Sequence, residues 1–146
     1  MGGRRFRTLT ILDEGVREGL AIEVATSLLA ERALRMALAK RAPVAGLLHH
    51  SDHGSQYAAI SYQRLLNTYG LSPSMSRKGN CWDNVCVESF FGTLKRELAY
   101  HWRYATREEA TQDIFEYIEV FYNRQRRHST LGYDSPAEYE ARTAVA

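Results

Sequence analysis

Val44-Ala45-Gly46-Leu47-Leu48-His49-His50-Ser51-Asp52-His53-Gly54-Ser55-Gln56-Tyr57 begins as a short apolar run and ends in a polar, glycine-bearing turn. The run from Val44 to His49 reads as a buried strand, with Asp52 at its C-terminal tip. Strand tips of this kind are where α/β folds place their sites. Gly54, Ser55 and Gln56 suit a turn with accessible backbone. Taken alone, Asp-His-Gly is equally ordinary turn chemistry, because an Asp side chain bonds readily to backbone two residues on.

Upstream, residues 5–13 alternate loosely and hold β-branched side chains, which predicts a strand. Glu14-Gly15 reads as a turn, and residues 20–25 (Leu-Ala-Ile-Glu-Val-Ala) pair back as a hairpin. Thr26 or Ser27 can cap a helix running to about Ala42, with Leu34, Ala37 and Leu38 inward and Pro43 after its end. Downstream of Asp52, residues 62–69 read as a helix stopped by Gly70, and residues 71–76 as a short strand. A long helix spans about 84–100. A second starts at Thr106, where Thr106-Arg107-Glu108-Glu109 has the form of a capping box. Its apolar stripe is Ala110, Ile114, Ile118 and Phe121. The tail from Leu131 to Pro136 is a loop before a short helix at about 137–142. Strands and helices in this order make an α/β layer fold.

The second candidate acid is Glu88, in Cys81-Trp82-Asp83-Asn84-Val85-Cys86-Val87-Glu88-Ser89-Phe90-Phe91-Gly92-Thr93-Leu94-Lys95. Seven residues turn a helix by about 700°, so Lys95 shares the face of Glu88 two turns on, and Asn84 precedes it by one turn. Val85, Phe91 and Leu94 flank it as candidate core. A carboxylate beside core positions is costly unless it is paired, metal-bound or at a cleft. Two carboxylates can hold Mg²⁺, which favours oxygen ligands. Paired ions of this type clamp an in-line phosphoryl transfer.

Composition bounds the alternatives. The chain has 146 residues, 45% hydrophobic and 25% charged, as expected for one folded domain. No apolar run approaches the roughly 20 residues of a membrane span. No secretory leader is visible in Met1-Gly2-Gly3-Arg4-Arg5-Phe6, which makes the cytoplasm the expected compartment. Cys81 and Cys86 are the two cysteines and read as reduced thiols, with no further ligands at zinc spacing. Net charge is only +2, so any nucleic-acid footprint must be local. Arg124, Arg126, Arg127 and His128 cluster within five residues, and Arg77-Lys78 precede the Glu88 segment. Such clusters can meet phosphates, or simply favour a helix end.

Taken together, several segments resemble the catalytic core of the DDE transposases and retroviral-type integrases, most nearly the bacterial insertion sequence family three. They are His50-Ser51-Asp52-His53-Gly54-Ser55-Gln56-Tyr57, residues 74–84, Glu88 to Lys95, Tyr122-Asn123-Arg124-Gln125-Arg126-Arg127-His128-Ser129-Thr130-Leu131-Gly132-Tyr133, and Ser135-Pro136. The resemblance covers residues 4–140, leaving 141–146 as a short tail. It implies an RNase H-like integrase core, a mixed sheet flanked by helices. It implies DNA as partner, both insertion-sequence ends and target, and Mg²⁺ or Mn²⁺ as cofactor. Asp52 matches the second acid of the triad and Glu88 the third, both metal ligands. Lys95 matches the basic residue that touches DNA, with Lys78, Arg124, Arg126 and Arg127 as further DNA contacts.

The family's first Asp lies on an opening strand that would precede Arg5. Asp13 corresponds to the end of the next strand and does not take that role. The expectation is therefore a core lacking its first central strand and its helix-turn-helix region, with two of three acids and no independent catalysis. Such a core would be repaired by homo-oligomerisation or by association with intact transposase. The alternatives are a non-catalytic DNA-binding or transposase-interacting fragment, an inert remnant, and an RNase H-like nuclease of other purpose.

Overall fold

The computed structural model describes residues 7–13, 18–25, 30–75 and 85–144, and of the first two segments the backbone alone. Strands β1 (Arg7–Asp13) and β2 (Glu18–Ala25) form the expected antiparallel hairpin, with a register shift between Ile11 and Leu12. The proposed turn at Glu14-Gly15 and the caps Thr26 and Ser27 lie outside the described residues. Helix α1 (Ala30–Arg41) lies against this hairpin. Ala30, Ala33, Leu34, Ala37 and Leu38 are its buried stripe, at the i, i+3, i+4 spacing of an amphipathic helix.

Strand β3 (Leu48–Ser51) pairs in parallel with β4 (Ser72–Met75), from Leu48 opposite Ser72 to Ser51 opposite Met75. Antiparallel and parallel ladders thus both occur, as a mixed fold requires, but in two separate pairs; among the described residues no ladder joins them. Between β3 and β4 run a single turn, α2 (Ser55–Ala58), and α3 (Ile60–Thr68). The single turn was not legible in the sequence. Gly70 at φ +66° then stops the chain's helical course, in the left-handed conformation that glycine adopts without strain. Its carbonyl accepts from Gly46 N–H at 2.7 Å, which closes the two loops that precede the ladder.

The buried strand expected over residues 44–49 is corrected here. Ala45-Gly46 form a turn, the strand begins at Leu48, and Leu48 is 63% exposed. The reason is one-sided cover. His49 faces α3, where it meets Tyr62, while no described element covers Leu48 on the opposite face.

Helix α4 (Val85–Leu94) continues without a break into a π-helical turn (Lys95–Ala99). Helix α5 (Arg107–Glu116) likewise passes into a second π-helical turn (Tyr117–Tyr122). The Thr106 capping box is present in full: its hydroxyl accepts from Glu109 N–H at 3.2 Å, and Glu109 Oε2 accepts from Thr106 N–H at 3.4 Å. The stripe of α5 departs from expectation at one position. Ala110, Ile114 and Ile118 are buried, but Tyr122 is buried in place of Phe121, which is 40% exposed. A π turn holds about one residue more than the 3.6 of an α-helix, so the stripe recurs one residue later. Val85, expected in the core, is exposed, and Phe90 fills that role instead.

Two apolar clusters result. One joins α1 and α3 through Ala30, Leu34, Leu38, Tyr62, Leu65, Leu66 and Leu71. The other joins α4 and α5 through Phe90, Leu94, Leu98, Ala110, Ile114, Tyr117, Ile118 and Tyr122. Lys40 Nζ meets Glu119 at 2.8 Å, and Arg41 pairs with Glu140, so the end of α1 is tied to the C-terminal helices. A short 3₁₀ turn (Ser129–Leu131) precedes α6 (Pro136–Ala144), which extends through residues read as tail. Ser135 and Glu138 exchange hydrogen bonds at its start, a second Ser-x-x-Glu box with Pro at the first helical position. These bonds, the backbone one first, hold the Glu138 carboxyl below its usual pKa. No helix among the described residues is long and apolar enough to cross a membrane.

Candidate active site

Asp52 stands one residue past the end of β3, as the sequence predicts, and is exposed. Its Oδ1 accepts from Gly54 N–H at 2.7 Å. This local bond fixes the carboxylate at the strand tip. A bond from the backbone two residues on is how Asp starts an Asx turn, so turn chemistry and site chemistry coincide in one residue.

Behind Asp52, β3 is buttressed by aromatic and polar contacts. Tyr62, buried on α3, lies 2.9 Å from His49 Nε2, and its ring meets those of His49 and Tyr57 edge-on. Burial, the largest cause, lowers the His49 pKa and raises that of Tyr62. Burial favours the neutral form of both groups, and the Tyr62 hydroxyl and His49 Nε2 share this hydrogen bond. His50 Nδ1 lies 3.2 Å from Ser74 Oγ, a side-chain bond across the parallel ladder. The sequence reading did not single out this support; histidines next to a candidate acid, with a tyrosine on the following helix, were its only signal.

Glu88 lies on α4 and is exposed. Lys95 is exposed two turns further on. The buried residues Phe90, Thr93, Leu94 and Leu98 occupy the other face. The expected Glu88–Lys95 stripe therefore exists and faces solvent. Asn84, Lys78 and Cys81 lie outside the described residues, and Cys86 is a free, half-buried thiol. Among the described residues no three Asp, Glu, His or Cys side chains gather as a metal cluster. The donors that Asp52 and Glu88 offer are hard carboxylate oxygens, the type that Mg²⁺ and Mn²⁺ take.

The basic cluster divides. Arg124 is exposed, with Nε bonded to the Glu119 carbonyl at 3.2 Å, and Arg127 is exposed. Arg126 is engaged within the molecule. Its Nε donates to both oxygens of Glu97, at 2.9 and 3.0 Å, and Nη2 lies 2.9 Å from Oε1. Its guanidinium also stands 5.8 Å from the centre of the Tyr122 ring. Tyr117 donates its hydroxyl to the same Glu97 carboxylate at 2.6 Å. Burial first, and then this bond, keep the Tyr117 phenol far above its usual pKa. Arg126, expected among the DNA contacts, thus joins the α4 and α5 arms. The separation of 29 positions between Glu97 and Arg126 hid this pairing from the sequence.

Two models described as integrase core domain match the chain, over residues 1–81 and 88–143. The chain belongs to the integrase core domain family.

Among its relatives is an insertion element IS600 uncharacterized 31 kDa protein from Shigella sonnei. That protein is 57% identical over 114 residues, covering 78% of this chain and 42% of the relative. The transposase for insertion sequence element IS904 of Lactococcus lactis is 52% identical over 104 residues, 71% of this chain and 41% of that protein. Transposase InsF for insertion sequence IS3A of Escherichia coli is 45% identical over 115 residues, 79% of this chain and 40% of that protein. The chain thus spans about two fifths of the length of these relatives. In structure it is similar to the catalytic core domain of BIV integrase, with a TM-score of 0.68 at 19% identity, covering 99% of this chain and 91% of that one. The likeness establishes the RNase H-like fold.

Proposed function

We propose that this chain carries two of the three acids of a DDE transposase core, Asp52 and Glu88, and that it acts on the DNA of insertion-sequence ends and targets. The observation that carries this reading is the held carboxylate of Asp52 at the tip of β3, in a family whose named relatives here include transposases. The reaction class is hydroxyl attack on a phosphodiester, by water and then by a 3′ end, with transfer of the DNA strand.

Asp52 and Glu88 would hold Mg²⁺ or Mn²⁺, and their exposed oxygens fit that role. A divalent cation bound there supplies Lewis-acid stabilisation of charge on the attacking and leaving oxygens. Lys95, on the solvent stripe of Glu88, meets a DNA phosphate, and Lys78, Arg124 and Arg127 add backbone contacts. Arg126 contributes by holding the two helical arms together. The third acid is supplied from outside the pair assigned here.

Calorimetric titration of the chain with Mn²⁺ tests the assignment. Asp52→Asn and Glu88→Gln should each weaken binding by at least the roughly tenfold that loss of even an outer-shell partner costs, while DNA affinity persists. Equal Mn²⁺ affinity in wild type and both variants would refute it. A second reading, a non-catalytic partner of intact transposase or a homo-oligomer, is favoured by the exposed apolar residues Val44, Leu47 and Leu48 beside β3. Such residues on uncovered strand surface invite another chain.

A further inference from the structure

Tyr100-His101-Trp102-Arg103 has no part in the site described above. It links the first π turn to α5, and Tyr100 is 74% and Trp102 63% exposed. Trp is on average among the more buried residues, so an exposed Trp beside an exposed Tyr is informative. Their neighbour Tyr104 is packed: it lies against the α4–α5 cluster and bonds Asp113 through its hydroxyl.

Three features give the two outward rings a purpose. The first is helical phase. Tyr100 lies five residues after Lys95, and its N–H donates to the Lys95 carbonyl at 2.9 Å. In an α-helix, five residues would carry Tyr100 about 140° away from Lys95. The wider π turn brings it back near the same face. Glu88, Lys95 and Tyr100 thus fall along one solvent stripe, and all three are exposed.

The second is charge. Residues 95–109 hold Lys95, Arg96, Arg103 and Arg107 against Glu97, Glu108 and Glu109, and Arg107 pairs with Glu108 at 3.6 Å. Glu97 is taken up by Tyr117 and Arg126. Lys95, Arg96 and Arg103, the basic residues nearest the two rings in sequence, leave a small local excess of positive charge beside them.

The third is that the segment is anchored at both ends. His101 N–H donates to the Leu98 carbonyl at 3.0 Å, and its Nε2 lies 2.8 Å from the Arg96 carbonyl. Beyond it, Ala105 N–H donates to Glu109 Oε2 at 3.0 Å beside the Thr106 cap. A short linker fixed at both ends presents its side chains at little ordering cost.

We infer that Tyr100 and Trp102 form a stacking platform for unpaired DNA bases, beside the phosphate contact at Lys95. Aromatic faces flanked by cations are how proteins hold single strands without reading sequence. The inference rests on DNA being the partner of this chain, and predicts a preference for DNA with unpaired bases over intact duplex.

The test is fluorescence anisotropy of the full chain with two labelled DNAs of equal length, one a blunt duplex and one with an unpaired 3′ tail. Wild type should bind the tailed DNA more tightly. Tyr100→Ala and Trp102→Ala should each cost about tenfold on the tailed DNA, the scale of a lost base–aromatic stack, and leave blunt binding unchanged. Trp102→Phe should retain most of the preference. Lys95→Ala should weaken both DNAs and flatten the salt dependence. Equal binding of the two DNAs by wild type would overturn the platform while leaving DNA binding intact. Loss on both DNAs in the aromatic variants would also overturn it. A fall in sedimentation mass in those variants would assign the rings to a second copy of the chain instead. Failure of wild type to bind either DNA would sink the DNA reading itself.

Discussion

Replacing Glu97 should reveal how the two helical arms are joined. Its carboxylate accepts from Tyr117 at 2.6 Å and from Arg126 Nε at 2.9 and 3.0 Å. Tyr117 is 8% exposed, so Glu97→Ala strands a phenolic hydroxyl without its acceptor, a loss of about 1–3 kcal/mol. The Arg126–Glu97 ion pair is partly exposed and adds about 0.2–1 kcal/mol. The better helix propensity of Ala returns a few tenths of a kcal/mol. The net expectation is about 1–4 kcal/mol, a large share of the roughly 5–15 kcal/mol that holds a domain together. Glu97→Gln keeps an acceptor for Tyr117 and should cost only about 1 kcal/mol.

Urea denaturation followed by circular dichroism reads these values. A double-mutant cycle with Tyr117→Phe should give a coupling of at least about 0.5 kcal/mol. The same Gln variant releases Arg126 and should steepen the salt dependence of DNA binding by about one phosphate contact. A Glu97→Ala protein within about 0.5 kcal/mol of wild type would be behaving as an ordinary surface substitution. That result would refute the clamp. So would an Arg126→Ala variant that loses DNA affinity without losing stability.

Phe90 is 2% exposed and meets the rings of Tyr122 and Phe91 edge-on at 4.9 and 5.6 Å; Phe90→Ala should cost about 3–5 kcal/mol in the same assay, and a loss below about 1 kcal/mol would place it outside the core. Acid should weaken the fold through His49, whose pKa burial holds below its ordinary value of 6.5. The folded chain then binds that proton less readily than the unfolded chain, so this contribution is complete above pH 6.5 and is lost as pH falls through the lowered folded value. Imidazole resonances followed by NMR should place the His49 midpoint under 6.5, and a midpoint above it would contradict the neutral ring bonded to Tyr62.

Much of this fold is local and was legible. The hairpin, the Thr106 box, the Gly70 stop and Asp52 at a strand tip each depend on residues close in sequence, where propensity and hydrogen-bond chemistry act directly. The departures have equally specific causes. The exchange of Phe121 for Tyr122 at the core comes from a π turn, and residue type alone does not mark where five-residue hydrogen bonds replace four-residue ones. Val44 to Leu48 read as a buried strand because they are apolar, but burial depends on cover from other elements. Arg126 looked like a phosphate contact because its partner Glu97 is far away in the chain. For the proposed site, Asp52, Glu88 and Lys95 were named from the sequence, and the His49–Tyr62 support behind Asp52 was missed. Tyr100 and Trp102 carried a readable signal, aromatic residues interleaved with Arg and His, that only their exposure made meaningful.

The pairing of the four strands two by two has a consequence for amide exchange. Along a strand, successive N–H groups point alternately to its two edges. Each strand here has one ladder partner among the described residues, so only every second amide of β1, β2 and β3 is committed to a partner strand. Exchange into deuterium should therefore alternate slow and fast along β1, β2 and β3, with the phase broken where the hairpin register shifts between Ile11 and Leu12. The fast set lies on the edges that face away from each ladder, so the alternation would print, in minutes against hours, which side of each strand remains available for another to join.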